Sequence, residues 1–170
     1  LLFCTLRNEA IRIPFFLNYY RRLGINHFFF VDNGSTDNFL EVVANQNDVT
    51  AYHTNSSYKE SAFGMYWLNF LLWKHGIDHW CFTCDPDEFF IFPNIEQENI
   101  QSLTNYLENK GKNSFSTILI DMYSQEDLAY ESGRDPLEFC GYFDKSGYRF
   151  TPFPPCENIW IQGGVRERLF

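Results

Sequence analysis

The chain has 170 residues, enough for one domain that buries roughly two-thirds of its unfolded surface. A composition that is 45% hydrophobic and 19% aromatic excludes a disordered chain, and 13 Lys and Arg against 22 Asp and Glu, a formal charge of −9, exclude general binding to nucleic-acid backbones. Any phosphate ligand must be met locally, by a metal or a few basic groups.

In chain order, "LLFCTL" (1–6) reads as a short buried strand, and a helix is predicted from about Ile13 to Leu23, with Pro14 tolerable in its first turn and Gly24 as its stop. "INHFFFV" (25–31) predicts a second buried strand. After the break "DNGSTDN", Phe39, Leu40, Val42 and Val43 mark a helix that Ser35 or Thr36 can cap, with Asp37 favourable in the first turn. "DVTAYH" (48–53) is a third strand, and 61–75 is apolar around most of its circumference, which predicts a largely buried helix ended by Gly76. "HWCFTC" (79–84) is a fourth strand. A helix near 97–109, a strand at "FSTILIDMY" (115–123) and an irregular stretch rich in Gly, Pro and aromatic residues follow.

Strand and helix alternate over the first four strands, so right-handed βαβ units are expected: a doubly wound, mostly parallel α/β sheet with helices on both faces and an irregular C-terminal part. One domain is expected over 1–170, with 1–96 as a ligand-binding half and 97–170 as an acceptor-side part. The chain opens inside a strand without Met and stops after a loop-like motif, so both ends read as cut. No apolar run reaches the 18 or more residues that span a bilayer. Of five cysteines only Cys81 and Cys84 form a CxxC, and no second pair or His stands at zinc spacing, so they read as small apolar strand residues.

Ligands of open α/β sheets bind beyond the carboxyl ends of the strands, where three polar clusters fall: "RNE" (7–9), "DNGSTD" (32–37) and "DPDE" (85–88). On an extended segment Asp85 and Asp87 point the same way and can share one cation, and two carboxylates with open positions suit Mg²⁺ or Mn²⁺ bridging to a diphosphate. The competing reading is an acidic turn that satisfies local backbone donors. EF-hand spacing fails, Phe89 breaks an aspartyl-phosphatase run, a glycosidase pair is unsuited to carboxylates so close in sequence, and neither a Walker loop nor a serine elbow is present. Asp32 can accept from a base edge or ribose, and Gly34 lets the backbone approach a ligand, although the same residues make a good strand-to-helix turn. Arg7 suits a phosphate and Glu9 a ribose hydroxyl, against the plainer reading of a surface ion pair. In "GGVRERLF" (163–170), Gly163 and Gly164 permit a tight backbone approach and Arg166 and Arg168, two apart, project together toward a diphosphate or acidic acceptor, against the plainer reading of a Gly turn beside a solvated charged strand. The four histidines read as solvated or core residues.

The succession "RNEAIRIPFFLNYYRRLGINHFFFVDNGSTDN", a Trp-containing helix and "DPDEFF", with "LIDMY" and "GGVRERLF" after it, resembles the family 2-like glycosyltransferases, in particular the branch related to family 92. The resemblance implies a GT-A fold, a nucleotide-sugar donor, a divalent cation (Mn²⁺ or Mg²⁺) on the DxD motif Asp85 to Asp87, and nucleoside contacts from Glu9 and Asp32. It further implies transfer of a sugar, with inversion, to a hydroxyl of a glycan, a lipid-linked or another acceptor. The donor is taken as a UDP-sugar at family level only. Inversion needs a general base, for which Glu157 and Glu167 are the candidates. The alternative is a catalytically silent nucleotide-sugar or carbohydrate-binding domain. Unpaired cysteines favour a reducing, cytoplasmic location, peripheral to a membrane or free, against a Golgi lumen if an anchor precedes Leu1.

Overall fold

The structure is a computed structural model and describes residues 1–125, 134–153 and 158–169. It divides into two units, Leu1–Asn109 and Lys110–Phe170.

The first unit holds strands β1 (Leu2–Leu6), β2 (Phe28–Asp32), β3 (Val49–His53) and β4 (Phe82–Thr83), and helices α1 (Ile13–Leu23), α2 (Phe39–Val43), α3 (Met65–His75) and α4 (Ile100–Asn109). The strands form one sheet in the order β3-β2-β1-β4, and every pairing is parallel. This is the expected α/β class, with a sheet compatible with a Rossmann-like fold. The order runs one way from β1 to β3 and the other way to β4, so the crevice between β1 and β4 is the topological switch point where such sheets bind ligands.

Alternation along the strands sorts the core into two layers. Leu2, Cys4, Leu6, Phe28 and Phe30 share one apolar cluster with Ile13, Phe16, Leu17, Tyr20 and Leu23 of α1 and with Phe39 and Val43 of α2. Phe3, Phe29 and Val31 share the other with Leu71 of α3. Helices therefore cover both faces, as the doubly wound reading requires. Burying each of these side chains contributes roughly 1.5–3 kcal/mol before chain entropy is subtracted. The spacing 13, 16, 17, 20, 23 is one apolar stripe of a 3.6-residue helix, and Gly24 ends it by donating to the carbonyls of Tyr20 and Arg21, both at 3.1 Å.

Four expectations are corrected. Only Leu71 of α3 is buried, with Trp67, Leu68 and Leu72 half-buried against its cluster, while Met65, Tyr66, Phe70 and Trp73 are exposed, because the sheet offers this helix one face to cover. β4 is two residues long, since its ladder to β1 covers Leu2↔Phe82 and Phe3↔Thr83 and gives way to an acidic turn around Pro86, which has no N–H to donate. Residues 115–123 contribute one isolated bridge, Tyr123↔Tyr142, where a strand was predicted; the side chains from 115 to 120 are all exposed and join no ladder among the described residues. Finally, Ser35 and Thr36 do not cap α2. The Phe39 amide is met by Asp37 Oδ1 at 3.2 Å, and the two hydroxyl residues are used elsewhere.

The second unit contains α5 (Pro136–Phe139), β5 (Arg149–Phe153), β6 (Asn158–Gln162) and α6 (Val165–Leu169). β5 and β6 form an antiparallel hairpin, so the irregular C-terminal part contains regular structure of its own. No helix among the described residues is long and apolar enough to cross a membrane.

Candidate functional site

Within the first unit a cavity of about 270 Å³ opens at the carboxyl ends of the parallel strands. Thr5, Leu6, Arg7 and Glu9 line it from the end of β1, Asn33 from β2, Asp85, Pro86 and Asp87 from β4, and Tyr58 from the segment after β3. Members of all three polar clusters singled out in the sequence thus share one cavity.

Hydrogen bonds between the loops fix this wall. The Asn33 amide donates to the Leu6 carbonyl at 2.9 Å, the Asn8 amide to Ser35 Oγ at 2.9 Å, the Thr36 amide to Asn8 Oδ1 at 2.7 Å and the Ala10 amide to Asp37 Oδ2 at 2.9 Å. Asn8 reaches these partners from a left-handed backbone, φ 58°, which asparagine tolerates better than most residues. Ser35 and Thr36 therefore join the two loops instead of capping a helix.

The acidic segment is a turn. The Glu88 amide donates to the Asp85 carbonyl at 3.1 Å, and Glu88 Oε2 accepts from the Asp85 amide at 3.0 Å. The extended geometry expected for Asp85 and Asp87 is replaced by a β-turn with Pro86 as its second residue, a position that proline favours. Both aspartates nevertheless line the cavity, whereas Glu88 turns back to satisfy the backbone. Two tyrosines of α1 hold the far side of the turn. Tyr20 Oη donates to the Glu88 carbonyl at 3.0 Å and accepts from the Phe90 amide at 3.1 Å, and Tyr19 Oη donates to the Phe90 carbonyl at 2.6 Å.

Burial, then the charge of Asp87, pushes the Asp85 carboxyl above its ordinary range. Glu88 is raised by burial and by the same two aspartates, against the hydrogen bond from the Asp85 amide. Carboxyls raised by neighbouring negative charge in this way favour a cation. Among the described residues no group of three or more His, Cys, Asp or Glu is disposed to hold a metal. Asp85 and Asp87 fit a hard divalent ion that takes the rest of its shell from water and phosphate oxygens. Arg7 lines the same cavity and forms no ion pair among the described residues, so a guanidinium stands available to an anionic ligand.

The other sequence candidates divide. Glu9 lines the cavity and is ion-paired with Arg12. Asp32 does not line it: its carboxylate is 2% exposed, accepts from the Ser35 amide at 2.9 Å and lies 3.0 Å from His53 Nδ1, its register partner on β3. Burial opposes ionisation of Asp32, but the hydrogen bonds from Ser35 and His53 outweigh it and hold the carboxyl below its ordinary value. Gly34 has φ 71°, and a Cβ there would stand 3.0 Å from Asn55 Oδ1, so the residue serves the turn. In the second unit the segment that carries Arg166 and Arg168 is the helix Val165–Leu169. Arg168 pairs with Asp144 at 3.3 Å and lies over the Tyr123 ring, and Glu167 pairs with Arg149 at 2.7 Å. Glu157 lies outside the described residues. Cys81 and Cys84 pack into the two different core clusters, so the CxxC does not converge on a metal.

Asn33 was marked in the sequence only as part of its cluster, and Tyr58 not at all. Asn33 was hidden beside the more acidic Asp32. Tyr58 lies in the polar stretch "TNSSYKES", which carries no motif, and only its place after a parallel strand could have marked it. Comparison with known proteins found no matching family model, no similar curated protein and no similar solved structure.

Proposed function

We propose that the chain carries the donor site of a metal-dependent glycosyltransferase that uses a nucleotide-diphosphate sugar, on a sheet of GT-A type. The observation that carries this reading is the meeting of Asp85, Asp87 and Arg7 in one cavity at the carboxyl ends of adjacent parallel strands. The resemblance to family 2-like glycosyltransferases, the branch related to family 92, adds to it.

The chemistry follows from charge. When a sugar leaves its diphosphate, negative charge grows on the leaving group, and a site that stabilises that charge lowers the barrier. Asp85 and Asp87 would hold Mn²⁺ or Mg²⁺, which when bound acts as a Lewis acid on the diphosphate. Arg7 contributes a fixed positive charge to the same anion. The Tyr19 and Tyr20 hydroxyls keep the turn in place, so the two carboxylates need little reorganisation on binding. The acceptor, a hydroxyl of a glycan, a lipid-linked or another molecule, and the base that deprotonates it are left unassigned.

The test is calorimetric titration of UDP into the chain with and without Mn²⁺, beside Asp87→Asn, followed by an assay for release of UDP from UDP-sugars. Binding that needs metal and is lost in the variant supports the donor site. Binding without release, with or without an acceptor, would instead favour a catalytically silent nucleotide-sugar-binding domain. A folded chain that binds no nucleotide under any condition overturns the reading.

A further inference from the structure

We infer that the exposed aromatic face of α3 pairs two copies of this chain, helix against antiparallel helix, about a two-fold axis near Asn69 and Phe70. The inference is independent of the nucleotide-donor reading, since no residue of that face lines the cavity.

α3 has two apolar faces. Trp67, Leu68, Leu71 and Leu72 lie against the sheet. Tyr66, Phe70 and Trp73 stand on the opposite side, four and then three residues apart, which places them in one stripe along the helix. They are 64%, 56% and 70% exposed. A helix face turned to water ordinarily carries charge, yet there is none between Ser61 and Trp73, and none of the chain's 22 acidic residues falls between 61 and 77. Aromatic and Met side chains with charge excluded are the composition of an interface core.

The approach to the helix is strained. Ala62 and Phe63 have φ of 53° and 56°, and a left-handed phenylalanine is a true outlier; its ring is exposed. Buried Ser61 secures the bend, its hydroxyl donating to the Tyr58 carbonyl at 2.7 Å and accepting from the Gly64 amide at 3.0 Å. Gly64 sits so close to β1 that a Cβ there would stand 3.1 Å from Thr5 Oγ1, which fixes the start of α3 on the sheet. Strain that holds an apolar ring out to solvent points to function rather than stability.

Area and charge decide what covers the face. Aromatic side chains present about 150–250 Å² each, so the exposed shares of Tyr66, Phe70 and Trp73 come to roughly 400 Å², and exposed Met65 and Ile77 bring the total to roughly 600 Å². Two copies then bury about 1,200 Å², above the ~1,000 Å² that a specific interface needs. A lipid surface is disfavoured, because anionic headgroups repel a chain of formal charge −9 and α3 offers only Lys74 and His75 to meet them. A basic protein finds no acidic residue on this helix to pair with. A second copy meets neither obstacle, since repulsion between two acidic chains is screened beyond about 8 Å at physiological salt and the face itself carries no acid.

The stripe is also self-complementary. In an antiparallel pair with the axis between Asn69 and Phe70, Tyr66 lies against Trp73 of the second copy, while Asn69 and Phe70 each meet their own copy. The one polar side chain in the middle of the stripe, exposed Asn69, thus finds an amide partner across the axis.

The experiment is sedimentation velocity on the whole chain over a range of concentrations, for wild type, Trp73→Gln, Asn69→Asp and Asn69→Lys, beside flotation with phosphatidylcholine vesicles and with folding checked by circular dichroism. Wild type should pass from monomer to dimer with a Kd of about micromolar order, as suits an interface of this size. Trp73→Gln should weaken the dimer at least about thirtyfold, as loss of a central aromatic anchor does. Each Asn69 variant sets a charge against its own copy and should weaken it about tenfold or more, and an equimolar mixture of the two should restore the dimer, because Asp then faces Lys. In the dissociated chain these side chains have no partner, so no variant should change the stability of the fold measured below the Kd. A wild type that stays monomeric at every concentration overturns the pairing, whether the face is then bare, covered within the chain or bound to vesicles. A dimer indifferent to Trp73→Gln assembles through another surface, and Asn69 variants that mixing does not rescue remove the two-fold axis; either result overturns the inference as well.

Discussion

Tyr20 on α1 donates its phenol proton to the carbonyl of Glu88, sixty-eight positions away in the chain, at 3.0 Å. The same oxygen accepts from the Phe90 amide, so one core hydroxyl ties the acidic turn to the helix beneath the sheet. Burial pushes this phenol far above its ordinary range, so it stays neutral at any working pH.

Removing that hydroxyl leaves the buried Phe90 N–H without its partner. Tyr20→Phe should therefore cost about 1–3 kcal/mol in urea denaturation. It should also weaken Mn²⁺-dependent UDP binding, because the carboxylates of the turn lose part of their support. Unchanged stability together with unchanged binding would show that the turn is held by other means.

Asp85 and Asp87 should destabilise the metal-free chain. A carboxyl whose folded pKa is raised contributes stability that is fully present below the unfolded value, near 3.9, and is lost as pH rises through the raised one. At pH 7 the repulsion is in force. Asp87→Asn should then be more stable than wild type by about 0.5 kcal/mol without metal, a small figure because solvent screens exposed charges. Near pH 3 the difference should close. Thermal denaturation at both pH values checks it, and a variant less stable at pH 7 would contradict it.

Asp32 carries the opposite sign. Its carboxyl is held down in the fold, so the stability it supplies is present above the unfolded value and is lost as pH falls through the folded one. Asp32→Asn should cost about 1–2 kcal/mol at pH 7 and progressively less below pH 4 or so. A cost that does not vary with pH would place the contribution in packing rather than in the carboxylate.

The two sides of α3 should respond differently. Leu71 is 2% exposed and Trp73 is 70% exposed. Leu71→Ala should cost about 2–5 kcal/mol, as core truncations do, and Trp73→Gln should stay within about 0.5 kcal/mol. Comparable losses at both positions, read from urea midpoints, would mean that the exposed face of α3 is covered.

The sequence by itself determined the α/β alternation, because short runs such as "LLFCTL" and "FFFVD" are apolar throughout and α1 repeats its large side chains at 3.6-residue spacing. It also marked the polar clusters that line the cavity at the carboxyl ends of the parallel strands, the edge where open α/β sheets bind ligands. Tertiary structure decided which polar groups are free. Asp32 and Asn33 are adjacent in sequence and both suit a ligand, yet lateral pairing with His53 on β3 uses up the aspartate, while the loop after β3 takes the donors of the asparagine and leaves its acceptor. Tyr58 enters the cavity through strain at 62–64 that no local pattern encodes, and the exposed face of α3 reflects a sheet that buries only one side of the helix. Periodicity specifies which elements form; hydrogen bonds between residues distant in sequence decide which side chains remain for chemistry, because each buried donor and acceptor must be satisfied first.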